Sequence, residues 1–280
     1  MELKHIASRD GRLSSFLKTE MNMSTGLMNR LKWQHLIFVN GVPRHNDFAV
    51  KTGDVITATL DDEQPNYPPQ EGALSILYED DHLIAVDKPA GMLIHPSHSK
   101  NDGTLANYLL GYYVKTGQKC AFHPVTRLDR DTFGIVLIAK HSHSHALLQV
   151  LPLQKTYHAL VRGGPAEESG VINAPIARKP LPSLLREVRV DGKESITQFR
   201  VLQRFEGYTK LDLTPVTGRT HQLRVHCAYM GFPILGDPQY GGGEEDFGLP
   251  HQMLCAKRLE FTHPITGENL MLESKLDVQL

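Results

Sequence analysis

The sequence predicts an α+β protein: a mixed, largely antiparallel central sheet with flanking helices, joined to a small α/β module at the N-terminus. Beyond residue 74, apolar strand runs outnumber helical ones and never alternate with them in the regular manner of a doubly wound sheet. A Pro-rich, acidic break separates two stretches of different pattern. The expected division is a binding module over 1–62, a linker over 63–73 and a larger domain over 74–280.

In the first stretch, Leu13, Phe16 and Leu17 recur at helical spacing, as do Leu27, Met28 and Leu31, with Ser24 and Thr25 placed to cap the second helix. Ile37-Phe38-Val39 runs into Asn40-Gly41, a hairpin-turn pair, and Val55–Leu60 reads as a closing strand. So small a unit is a marginal fold alone and suits an appended module. Pro65, Pro68 and Pro69, set among acids, predict a hydrated, semi-extended connector.

In the larger domain, Leu83–Val86 reads as a strand ended by the turn Lys88-Pro89-Ala90-Gly91. Gly134–Ala139 is continuously apolar, the mark of a buried strand. Further strands are expected at His158–Val161, Thr197–Leu202 and Lys210–Thr214, and helices at Leu105–Val114, His143–Val150 and Gln222–Met230.

Hydrophobic residues make up 40% and charged residues 22% of the 280, enough apolar material for a packed core. No apolar run approaches the ~20 residues of a membrane span. Met1–His5 leads into no apolar signal segment, so a cytoplasmic location with no membrane partner is expected. Cys120, Cys227 and Cys255 are odd in number and far apart, against a disulfide framework or a Cys-type metal site. Neither a P-loop nor a Gly-x-Gly-x-x-Gly run is present, which removes the main support for a nucleotide cofactor.

The net charge of −1 argues against indiscriminate polyanion binding, but the charge is segregated. Residues 1–60 carry a net +3 and residues 171–224 a net +5, and the stretch between 60 and 82 holds seven acids and no Lys or Arg. A local polyanion-facing surface fits this pattern, and so does ordinary scatter over a solvated surface.

Three polar clusters could carry chemistry. Arg127-Leu128-Asp129-Arg130-Asp131-Thr132 leads straight into the apolar strand at 134–139, which places it at the end of a sheet. Asp129 lies between two guanidiniums, which favour a carboxylate in its anionic form, able to attack carbon or accept a proton. A surface Arg–Asp ladder is the plainer reading. The second cluster, Thr217-Gly218-Arg219-Thr220-His221-Gln222-Leu223-Arg224, has a glycine suited to a sharp turn and crowds donors at a helix start. It could bind phosphate, pair with an acid such as Asp129, or simply cap the helix. Lys155 and Tyr157 share one face of a strand, where the ring could stack on a base or pack in the core. The tract His141-Ser142-His143-Ser144-His145 could chelate, but it contains no Cys, Asp or Glu, and no metal is expected.

Taken in order, Arg127-Leu128-Asp129-Arg130-Asp131-Thr132-x-Gly134, Lys155-x-Tyr157 and Gly218-Arg219-Thr220-His221-Gln222-x-Arg224 resemble the RluA family of pseudouridine synthases. Supporting runs are Asp87–Gly91, Gly231–Gly241, Leu254-x-Ala256 and Phe261-x-His263-Pro264, so the resemblance covers residues 75–270. More weakly, residues 12–60 resemble an S4-type RNA-binding module. The resemblance implies a pseudouridine-synthase-like fold, an RNA partner, and neither metal nor organic cofactor. It makes Asp129 the essential aspartate, Tyr157 the ring that stacks on the target base and Arg224 the partner that orients Asp129. Arg127 would fill the space left by the extruded uridine. Arg130, Lys155, Arg219, His221, Gln222 and, on the module, Arg12, Arg30 and Lys32 would contact RNA. Asp129 could act at the sugar as nucleophile or as base. Two positions depart from the pattern: Thr126 stands where His is usual and Phe133 where Ser is common.

The S4-like module points to ribosomal rather than transfer RNA, and one protein per flipped nucleotide makes a monomer sufficient. The alternatives are a non-catalytic RNA-binding or ribosome-assembly factor and a His-rich metallohydrolase.

Overall fold

The computed structural model describes residues 2–60, 63–97, 101–183, 185–241 and 248–280, so Asp61 and Asp62 of the acidic run lie outside it. The N-terminal module comprises β1 (Glu2–Ile6), β2 (Gly11–Arg12), α1 (Leu13–Thr19), α2 (Thr25–Trp33), β3 (Ile37–Val39), β4 (Val42–Pro43), β5 (Ala49–Val50) and β6 (Val55–Thr59). The Ser24 hydroxyl accepts from the Leu27 amide and caps α2. Strands β1, β6, β3 and β4 form one antiparallel sheet. Leu13, Phe16, Leu17, Leu31, Ile37 and Ile56 fill its core, against which Ile265 of the larger domain also packs.

The larger domain comprises β7 (Ser75–Glu79), β8 (Leu83–Lys88), α3 (Leu105–Lys115), β9 (His123–Pro124), β10 (Phe133–Ala139), α4 (Ser142–Leu148) and β11 (Leu153–Arg162). It continues with β12 (Ser169–Asn173), β13 (Ile176–Arg178), β14 (Arg186–Val188), β15 (Ile196–Arg204), β16 (Tyr208–Pro215), α5 (Gln222–Tyr229), β17 (Leu254–Thr262) and β18 (Asn269–Glu273). The main sheet runs β12-β15-β16-β11-β17-β10-β8-β7, with β18 beside β17 and β9 beside β10. Its ladders are antiparallel except for β10 against β17. The mixed, largely antiparallel α+β architecture expected from the sequence is the one observed. Helix α3 packs against β8 and β10 on one face, and α5 sits over Leu211, Leu213 and Leu254. Among the described residues, no helix is long and apolar enough to cross a membrane.

The parallel pair fixes the site. Gly134 lies opposite Ala256, and Ala256 lies opposite Tyr157 on the far side, so three strands bring these residues abreast. Gly134 has φ +104°, and a Cβ there would fall 2.4 Å from the Ala256 carbonyl oxygen. Only glycine allows so close an approach.

Strands β1, β7, β17 and β18 carry no sequence signal strong enough to be expected. In β17, Lys257 and Arg258 interrupt the apolar run where the register with β11 shifts, and the Lys257 ammonium is taken up by the Ser274 carbonyl at 2.7 Å. The linker also differs from expectation. Asn66 exchanges hydrogen bonds with the backbone of Phe122, and the Asn107 amide donates to the Pro68 carbonyl. Glu63 is engaged by protein groups: it accepts from the Ser142 amide at 2.8 Å and pairs with His123. Burial opposes its charge, but these partners outweigh burial and hold the carboxyl down at about 2. Polar side chains at 63, 66 and 70 find partners in the larger domain, so this connector is strapped down.

Candidate active site

The loop 127–132 emerges where β10 begins, and α5 begins across from it. Together with β11 they line a cleft of about 960 Å³. Asp129, Arg127, Arg130, Lys155, Tyr157, Arg219, His221, Gln222 and Arg224 all border this cleft, whereas Arg12, Arg30 and Lys32 lie on the N-terminal module.

Arg224 is the electrostatic hub. Its side chain is 5% exposed, and its Nη1 donates to Asp129 Oδ2 at 2.9 Å. Nε and Nη2 form a bidentate pair with Asp237 at 2.7 and 2.8 Å, and Nη2 also donates to Gln239 Oε1. A buried guanidinium needs such compensation. Asp237, completely buried, also accepts the Gln239 and Tyr240 amides and so fixes the following turn. Asp129 Oδ1 has no hydrogen-bond partner among the described residues, so one oxygen of this cleft-lining carboxylate is anchored and the other is not.

The cations expected beside Asp129 are rearranged. Arg130 turns away to pair with Asp131 at 2.8 Å, and Arg127 is exposed at the rim. The partner of Asp129 is instead the distant Arg224, with the His221 imidazole at 3.8 Å. The loop itself is held by Lys88, fully buried, whose ammonium donates to the carbonyls of Pro89, Met92 and Arg130 at 2.8–2.9 Å. Burial lowers Lys88 to about 8.

Tyr157 and Lys155 both border the cleft from β11. Burial, with the Asp129 charge adding to it, pushes the Tyr157 hydroxyl up, so it stays protonated. Lys155 has no ion pair among the described residues, and burial lowers it. An exposed Arg219 donates to the Glu194 carbonyl at 3.0 Å. Gln222 is placed differently from expectation. Its amide accepts from Thr217 Oγ1 and the Arg219 amide and donates to the Ile196 carbonyl and Thr197, so it ties the loop to β15 instead of presenting donors to the cleft. Nor does Gly218 make the turn: the left-handed residue is His221, at φ +58°.

Thr126 is buried, and its hydroxyl accepts from the Leu137 amide at 2.9 Å, which fastens the loop to β10. Phe133 packs edge-on against His251. The histidines of 141–145 diverge: His141 faces Cys120, His145 faces His123, and His143 is buried. Asp237, Tyr240 and Lys88 are site residues to which the sequence alone assigns no role. Each stands in a run that carries the family resemblance, but only burial and distance reveal what it does.

Residues 82–229 match the family described as RNA pseudouridylate synthase. The chain is 36% identical over 274 residues to the uncharacterized RNA pseudouridine synthase YhcT of Bacillus subtilis, covering 95% of this chain and 90% of that protein. It is 42% identical over 214 residues to ribosomal large subunit pseudouridine synthase D of Nitrosomonas europaea, covering 72% of this chain and 62% of that one. Among solved structures, human RNA Pseudouridylate Synthase Domain Containing 1 superposes with a TM-score of 0.60 at 25% identity, covering 76% of this chain and 93% of the human one.

Proposed function

The chain belongs to the RNA pseudouridylate synthase family of isomerases, and from that premise we propose that it converts uridines of ribosomal RNA to pseudouridine with Asp129 as its essential group. The observation that carries this reading is the Arg224–Asp129 contact inside a cleft large enough for an extruded nucleotide.

The reaction breaks the C1′–N1 bond, turns the base, and joins C1′ to C5; the C5 proton leaves and N1 gains one, so atoms balance. Extruding the nucleotide costs a few kcal/mol, which contacts to the RNA backbone offset. Arg127, exposed at the rim, is placed to fill the vacated stack. Arg130, Lys155 and Arg219 supply cationic contacts whose strength falls with added salt. The Tyr157 ring forms a wall against which the detached uracil can rotate without escaping. Asp129 offers Oδ1 to the sugar, as nucleophile or base, while Arg224 holds Oδ2. The N-terminal module, an S4-like unit over 1–62, adds Arg12, Arg30 and Lys32 as further RNA contacts. The relatives named for the large ribosomal subunit favour ribosomal over transfer RNA, and a monomer suffices.

The test is a large-subunit ribosomal RNA transcript treated with enzyme and then probed for carbodiimide-reactive pseudouridine. Wild-type protein yields product and folded Asp129→Asn yields none. Product at wild-type level from that variant removes Asp129 from the chemistry.

A further inference from the structure

A chain of hydrogen bonds runs from the basic hairpin of β13 and β14 to the cleft. The Arg186 backbone amide donates to Tyr240 Oη at 2.9 Å, and Tyr240 Oη lies 2.8 Å from His221 Nδ1. His221 Nε2 in turn faces Asp129 Oδ2 at 3.8 Å. Tyr240 Oη already accepts from Arg186, and its own proton finds an acceptor at His221 Nδ1. That leaves the imidazole proton on Nε2, pointing at Asp129. His221 also keeps a left-handed backbone at φ +58°, a strained conformation for a residue with a side chain, which persists only where its surroundings enforce it.

We propose that His221 is a positioning residue for the isomerisation: Tyr240 fixes its tautomer, and Nε2–H joins Arg224 on Asp129 Oδ2, directing Oδ1 at the sugar. The proposal rests on the isomerase reading. At 3.8 Å the last contact is longer than a hydrogen bond, and the proposal requires it to shorten when RNA is bound. The charged groups facing His221 are Asp129, Asp237, Arg224 and Arg186, with Tyr240 beside them; burial, the largest influence, keeps the imidazole below its usual range and neutral. Protonation would put a donor on Nδ1, oppose the Tyr240 O–H and break the arrangement.

The readout is tritium release from a [5-³H]uridine-labelled large-subunit ribosomal RNA transcript, with kcat and KM followed across pH. Tyr240→Phe should lower kcat roughly 10-fold with KM nearly unchanged and move the acid limb of kcat upward, because Nδ1 has lost its donor. His221→Gln, which donates but does not titrate, should recover most of the kcat lost in His221→Leu and flatten the acid limb. An unmoved acid limb in Tyr240→Phe, or a Gln variant no better than Leu, overturns the proposal. No release by wild-type enzyme overturns the isomerase reading itself, and this proposal with it.

The geometry of α2 points independently to a base-stacking surface at Trp33. This is the only tryptophan in the chain, and it is 75% exposed. The Lys32 ammonium sits over its ring at 5.0 Å, and Arg30 lies one turn back on the same helix face. An uncovered indole beside the Lys32 ammonium suits an unpaired RNA base, which offers a π-face and a phosphate together. Because all tryptophan fluorescence comes from Trp33, titration with a single-stranded oligouridylate should quench it, and an RNA duplex of equal length should not. Trp33→Ala should weaken oligouridylate binding roughly 5- to 100-fold, and Trp33→Phe far less. Binding seen by anisotropy without quenching, or an unweakened Ala variant, overturns this assignment; a chain that binds no RNA removes the RNA reading as well.

Discussion

Arg224 gives two of its nitrogens to Asp237 and one to Asp129. The fully buried acid fixes the guanidinium, and the guanidinium fixes the half-buried one. Asp237→Asn should therefore cost about 3–5 kcal/mol of stability, as removal of one partner from a buried pair does, and should reduce turnover as well. Asp129→Asn should change stability by about 1 kcal/mol or less while abolishing turnover. Urea unfolding beside tritium release separates the two.

Lys88→Met should take the donor from three carbonyls at once and cost about 3 kcal/mol. One of the three belongs to Arg130, next to Asp129, so kcat should fall further than KM rises. Equal stability of the two proteins in urea would show that the ammonium does not hold the loop.

Gly134→Ala should be costly because the new methyl meets the Ala256 backbone and φ is +104°. A loss of about 3 kcal/mol is expected. Hydrogen exchange should report it first in β10 and β17, the parallel pair that Gly134 joins.

Acid should destabilise the fold well above the ordinary carboxylate range. Burial pushes His141 and His143 down to about 4, against about 6.5 in an unfolded chain. A depressed folded value means the unfolded state binds the proton first. The stability is therefore fully present above pH 6.5 and is lost as pH falls toward 4, up to about 3 kcal/mol for each imidazole. Glu63, held at about 2, extends the loss below pH 4.5. Melting temperatures from pH 7 to 4 should show this, and His143→Leu should flatten the slope between 6.5 and 4.5.

The strands with unbroken apolar runs, such as Gly134–Ala139, and the capped helix after Ser24 were legible because local pattern and burial agree there. Strand β17 was hidden because a bulge puts Lys257 and Arg258 inside it, where the chain end, not periodicity, supplies the partners of Lys257. The acidic linker misled because composition cannot show that His123 and Ser142 wait for Glu63. At the site, the residue types were readable but the pairings were not. Asp129 finds its cation 95 positions away while its sequence neighbours Arg127 and Arg130 turn elsewhere, since distances between loops belong to the sheet that carries them.

The placement of β17 between β10 and β11 has a consequence for biosynthesis. Both flanking strands leave the ribosome long before residue 254, yet neither has its shared neighbour until that late segment follows. Gly134 and Tyr157 come abreast only then, so a nascent chain halted short of β17 should hold an unclosed sheet. Translation arrested at about residue 240 should thus produce a species that proteases cut within β10 and β11, and acquisition of resistance should coincide with emergence of the last forty residues or so.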